Sequence, residues 1–223
     1  EYEVRDTEGN ILISDNSTWT NSHTQNFCAP LPPSGTTYYS QGSGNMSAAI
    51  WSTSVSGAGA VASFDCTTNI VVQNGDLVTN DLGNFSCLDF SVDGGGSFDL
   101  AAGGNVMSLC GSLTTDGTFT PNDSKVEFSG SIAQTLGGST NTNFYDVELD
   151  NALGLQLMSD QSISGGLDLQ DGDFDVNGNV FTFKSTSTAT GRLLQIQAGA
   201  DYVGSMTAER NVGSSSQGWR MLG

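Results

Sequence analysis

Two stretches far apart in the chain spell nearly the same thing. Phe98-Asp99-Leu100 leads to Gly104-Asn105-Val106, and Phe174-Asp175-Val176 leads at once to Gly178-Asn179-Val180. Each begins at a glycine (Gly96 or Gly172), turns on small residues and re-enters a short apolar run. A strand–turn–strand unit this short buries its apolar edge only against another unit, so its recurrence predicts stacked coils.

The rest of the chain fits. Short runs such as Leu77–Thr79, Leu88–Val92, Phe98–Leu100, Val106–Leu113, Thr118–Thr120, Lys125–Ser129 and Phe144–Leu149 are separated by Gly, Asn or Asp. They continue through Leu155–Met158, Ser162–Ser164, Leu167–Leu169, Phe174–Val176 and Val180–Phe183. No sustained helical period occurs, and the 29 glycines against four prolines belong to turns. The class is all-β, read as a parallel β-helix (β-solenoid) with an N-terminal cap. An antiparallel β-sandwich is the alternative, because Asn74-Gly75 and Asn177-Gly178 are hairpin-type steps.

The expected organisation is a leading segment and linker over 1–35, a cap over 36–66 and coils over 67–200. Residues 201–223 would be the last coil and the start of a following domain. Tyr39 and Trp51 are expected to cover the open end of the stack. Alternation turns Val72, Leu88, Phe90, Leu109, Leu113, Phe128, Leu149, Leu157, Leu169 and Phe183 inward. At ~20 residues per coil, the stack holds about six coils and is roughly 30 Å long.

Six Lys and Arg against 24 Asp and Glu give a net charge of -18. That sign disfavours nucleic acid and anionic lipid surfaces. No run approaches the ~20 apolar residues of a membrane span. The opening Glu1-Tyr2-Glu3-Val4-Arg5 is no leader peptide, and the end at Trp219-Arg220-Met221-Leu222-Gly223 falls inside an apolar run. Both features read as a processed chain or a piece of a longer one.

Four cysteines suit disulfides in an oxidising exterior. Extending the alternation of Leu88, Phe90 and Val92 backwards turns Cys87 outward, and the same logic turns Cys110 outward one coil away. The expectation is therefore a Cys87–Cys110 bridge, with Cys28 and Cys66 paired by elimination. A zinc site is the weaker reading, since no CxxC exists and His23 is the one histidine.

Several segments resemble the coil-repeat regions of large surface proteins of Bacteroidota. They are Thr37-Tyr38-Tyr39-Ser40 with Trp51-Ser52-Thr53, Asn69-Ile70-Val71-Val72-Gln73-Asn74-Gly75, and Gly111-Ser112-Leu113-Thr114-Thr115-Asp116-Gly117. Phe144-Tyr145-Asp146-Val147-Glu148-Leu149 and the closing Gly218-Trp219-Arg220-Met221-Leu222 are similar too. The resemblance covers about residues 36–223. It implies an extracellular β-solenoid of an adhesin or gliding-associated protein exported by type IX secretion, with no catalytic motif to carry over.

For chemistry, Asp168, Asp171, Asp173 and Asp175 around Gly172 are hard oxygen donors of the kind Ca²⁺ takes. Their spacing matches neither an EF-hand nor the nonapeptide calcium repeat, and a solvated coil face would look the same. No other cofactor is expected. Carboxylate pairs also raise glycoside hydrolysis, although the adjacent Asp-Asp pair and the neighbouring basic residues are missing. One histidine argues against a Ser/His/Asp triad. Tyr38, Tyr39, Tyr145 and Tyr202 are candidates for stacking on sugar rings, against a packing role at coil corners. Asn16, Asn45, Asn84 and Asn122 each begin an N-x-S/T triplet, a frequency close to chance in a Ser/Thr-rich chain.

The function these features favour is a non-catalytic structural or adhesive segment of a secreted cell-surface or filament protein, serving as a rigid spacer. The alternative is a carbohydrate-binding or carbohydrate-active β-helix. Expected partners are other surface or secretion-system proteins, further copies of the chain, and glycans. Asn10-Ile11-Leu12-Ile13-Ser14 reads as a strand outside the stack, either adding to a neighbour's edge or folding back on the first coil.

Overall fold

The computed structural model describes residues 2–5, 11–15 and 35–211. Residues 1–31 form a unit of their own. Its strands β1 (Tyr2–Arg5) and β2 (Ile11–Asp15) pair antiparallel, with Val4 opposite Ile13 and an irregularity between Val4 and Arg5. The strand expected near residue 11 is thus matched by Tyr2–Arg5.

The second unit is a parallel β-solenoid of about seven turns, with no helix among the described residues. Each coil visits three faces in turn. The first coil supplies β3 (Thr36–Ser40) and β4 (Gly44–Asn45), then a return strand β5 (Trp51–Ser52) antiparallel to β3. Next come β6 (Thr68–Val72), β7 (Leu77–Thr79) and β8 (Phe85–Cys87), then β9 (Phe90–Val92), β10 (Ser97–Asp99) and β11 (Val106–Leu109). They are followed by β12 (Leu113–Thr115), β13 (Thr118–Thr120) and β14 (Lys125–Phe128), then β15 (Gln134–Gly137), β16 (Asn143–Phe144) and β17 (Asp146–Asp150). After β18 (Leu155–Leu157) and β19 (Gln161–Ile163), the ten-residue β20 (Gly166–Asp175) serves the third face with its first half and the first face of the next coil with its second. The described stack ends with β21 (Phe181–Phe183), β22 (Arg192–Leu193), β23 (Ala200–Val203) and β24 (Met206–Ala208).

Parallel register builds straight inward columns. On the first face Ile70, Phe90, Leu113, Leu136 and Leu157 stand in line. On the third, Cys87, Leu109, Phe128, Leu149 and Leu169 do the same. All these side chains are buried, as are all ten residues expected inside. Each large apolar one contributes roughly 1.5–3 kcal/mol by leaving water. Asn74-Gly75 and Asn177-Gly178 lie at corners between faces; the ladders on either side are parallel, so the sandwich alternative fails. Where alternation suggested one run over Val106–Leu113, a corner at Cys110 divides it into β11 and β12. Where it suggested two, over Leu167–Leu169 and Phe174–Val176, β20 bends through Gly172 (φ 80°), whose missing Cβ makes room for the Asn151 carbonyl.

At the N-terminal side Trp51 is buried, donates from Nε1 to the Met46 carbonyl at 2.8 Å and meets Phe64 edge-on at 5.1 Å. Tyr38, rather than Tyr39, faces inward, in register with Ile70 and edge-on to Phe64. The second face is interrupted: β4, β7, β10 and β13 form one sheet, and β16, β19, β21 and β24 another. A longer corner separates β15 from β16. It is held by Thr142 Oγ1 to Thr115 Oγ1 (3.1 Å) and by Thr142 N to Gln161 Oε1 (2.8 Å). Phe119 and Phe144 bridge the gap inside, ring centres 5.9 Å apart. Every buried side-chain nitrogen and oxygen among the described residues has a hydrogen-bond partner.

The disulfide differs from expectation. Cys66 is bonded to Cys110, Cα atoms 5.4 Å apart, and Cys87 is a free buried thiol. Neither Cys87–Cys110 nor Cys28–Cys66 therefore forms; Cys28 itself lies outside the described residues. The reason is a corner. β8 ends at Cys87, and the turn at Leu88-Asp89 resets the alternation, so that Cys87 and Leu88 both point inward. The bridge encloses β6 to β11, two whole coils.

Candidate functional site

The four aspartates singled out by the sequence all lie on β20, but they serve two faces. Asp168 is outward on the third face, in line with Glu148 and Glu127, and accepts from Gln170 Nε2 at 2.8 Å. Asp171 sits at the corner opposite Asp150. Asp173 and Asp175 face out on the first face. Among the described residues no three acidic, histidine or cysteine side chains converge as a metal would require.

The stacked carboxylates of Glu127, Glu148 and Asp168 would repel one another. Lys125 answers them, its Nζ 2.6 Å from Glu148 Oε2. Burial pulls the Lys125 ammonium down, yet the Glu148 hydrogen bond and the charges of Glu148, Glu127 and Asp168 outweigh it and hold the net value above the usual lysine range. Lys125 pairs with one of the three carboxylates, so the cluster keeps a negative surplus on the third face.

The tyrosines also divide. Tyr202 continues an inward column from Leu155 and Phe174; its ring stacks on Phe174 at 5.6 Å and its hydroxyl donates to the Ser205 carbonyl at 3.4 Å. Tyr38 and Tyr202 thus pack at opposite ends of the described core, on β3 and β23. Tyr39 and Tyr145 are half-buried.

The first face carries a groove of about 330 Å³. Thr135, Gln156 and Asp175 stand in register on successive coils, with Asp173 alongside on the same strand and Leu153 and Val203 at the margins. Asp175 is fixed, accepting from the Asn177 amide at 2.8 Å and from Gln156 Nε2 at 3.3 Å. The Asp173 carboxylate and the Thr135 hydroxyl make no bond to any described residue and face water. A second depression of about 510 Å³, between Gly138–Asn141 and Met158–Asp160, differs in that its polar groups are engaged: Asp160 accepts from the Val180 amide and Asn179 donates to the Leu157 carbonyl.

Sequence reading found Asp173 and Asp175 and missed Thr135, Gln156 and Leu153. Alternation in Leu155-Gln156-Leu157 marks Gln156 as outward, but only inter-coil register puts it beside Asp175. Known proteins give no further guide to the site: no family model, no curated protein and no solved structure matches this chain.

Proposed function

We propose that this chain is a non-catalytic structural segment of a secreted cell-surface protein, a rigid spacer that displays what is attached to it. The observation carrying the reading is the stack of about seven turns around one hydrophobic core, which Phe119 and Phe144 carry across the break in the second face. At ~4.8 Å per coil this makes a stack roughly 35 Å long. A disulfide in a fold with no helix long and apolar enough to cross a membrane fits an oxidising exterior. Export by type IX secretion, and contacts with other surface or secretion-system proteins or with further copies, belong to the same reading and rest on the resemblance to Bacteroidota surface proteins.

The test has two arms. An antibody raised against the solenoid should label intact cells that make the protein, and protease added outside should remove the label. The purified chain, pulled between two handles, should stay at fixed length until it unravels coil by coil. Labelling only after cells are opened overturns the location, and smooth stretching at low force overturns the spacer.

A further inference from the structure

We propose that the first-face groove is a binding site for an uncharged, hydroxyl-rich chain, a neutral oligosaccharide lying across the coils. This goes beyond the spacer reading and does not depend on it.

The groove runs along the stack. Its floor and walls come from four successive coils: Thr135, then Leu153 and Gln156, then Asp173 and Asp175, then Val203. Neighbouring coils are ~4.8 Å apart, so the polar side chains repeat in a straight file suited to a linear polymer. The file alternates in chemistry. Thr135 both donates and accepts, Gln156 offers an unused Oε1 and a remaining N–H, and the carboxylates only accept.

Asp173 and Asp175 are two apart on one strand, ~7 Å between Cα atoms, and present two acceptors side by side. Sugar hydroxyls supply the matching donors. The tie from Asp175 to Asn177 and Gln156 fixes that carboxylate before any ligand arrives, lowering the ordering cost. At the margins Leu153 is 60% exposed and Val203 39%, apolar surfaces for the C–H face of a sugar ring. Charge decides the class: two groove carboxylates on a chain of net charge -18 repel uronate and sulfated polymers. The site binds without cleaving. Asp173 is exposed, whereas a general-acid carboxyl works from an apolar enclosure.

The experiment uses the whole chain on an array of neutral, uronate and sulfated oligosaccharides, followed by titration calorimetry of any neutral hit. Asp173→Ala and Gln156→Ala should each weaken binding about tenfold or more, the loss of a charged or amide hydrogen bond. Thr118→Ala, on the second face, should leave it unchanged. EDTA should have no effect, and the bound oligosaccharide should be recovered intact. Four outcomes overturn the proposal: no neutral ligand binding at millimolar concentration, preference for anionic glycans, equal loss in Thr118→Ala, or abolition by EDTA, which would mean a bridging cation. Cleavage of the ligand overturns the assignment as a pure binding site.

Discussion

Asp99 and Asp175 perform the same small task. Each accepts, through Oδ1, the backbone N–H two residues on, from Ala101 and Asn177, both at 2.8 Å. In each case the donor residue is left-handed, φ 62° at Ala101 and 49° at Asn177. An Asx turn followed by a left-handed residue is what bends the chain. Two other residues carry predictions. Cys87 is fully buried and its thiol is pushed up by desolvation, with the Asp89 charge adding to it. Iodoacetamide at pH 8 should therefore leave native Cys87 unmodified and label it only on unfolding, read by mass spectrometry; rapid native labelling would show that the column opens. Burial also pushes the Tyr202 hydroxyl up to about 12, above the ~10 of a free tyrosine. The fold thus favours the neutral ring, and its contribution is complete below about pH 10 and lost as pH rises through about 12. Tyr202→Phe should lose less stability between those values than the parent chain, followed by denaturant midpoints at each pH. Inward residues were legible singly, since alternation within a strand is local. Cys87 was misread because a corner intervenes, and corners reset phase.

At the scale of strands, a polar residue replaces an apolar one in an inward column. Gln134 stands in register with Leu155, inside, where its amide donates to the Leu109 carbonyl at 2.8 Å and the Gly111 carbonyl at 2.5 Å. Its Oε1 accepts from the Gly130 amide and from Asn151 Nδ2. This cluster closes the corner between β14 and β15. Gln134→Leu would be apolar and of similar size, yet it takes their Gln134 partner from the Gly130 amide and the Gly111 carbonyl, so it should cost about 2–4 kcal/mol in urea unfolding. A neutral result would mean that water replaces the amide. Strand β15 went unseen in the sequence for this reason: Ala133-Gln134-Thr135-Leu136 puts a polar residue where alternation asks for an apolar one. The groove was only half legible. Its aspartates are conspicuous in sequence, while Thr135, Gln156 and Leu153 reach them through pairings of 19 to 21 residues that no local pattern encodes.

For the molecule as a whole, the Cys66–Cys110 bridge closes a separation of 44 residues around two full coils. The loop-entropy estimate for such a closure is about 4 kcal/mol, an upper figure. Reduction, or Cys66→Ser with Cys110→Ser, should lower the melting temperature without altering the β-rich circular dichroism at 25 °C. An unchanged Tm would mean that the inner packing alone constrains these coils. The stacked architecture was legible because short units had to be covered by others, but the repeat that revealed it holds a further consequence. Phe98 stands on the second face, between Val78 and Phe119, whereas Phe174 stands on the first, between Leu155 and Tyr202. The same bend therefore works at two different corners of the triangle. A bend that does not know which corner it occupies can be gained or lost singly, advancing the chain by a third of a circuit while apolar side chains still point inward. Each such change would turn everything downstream by about a third of a revolution, so the compass bearing of whatever the stack carries is set by counting its bends.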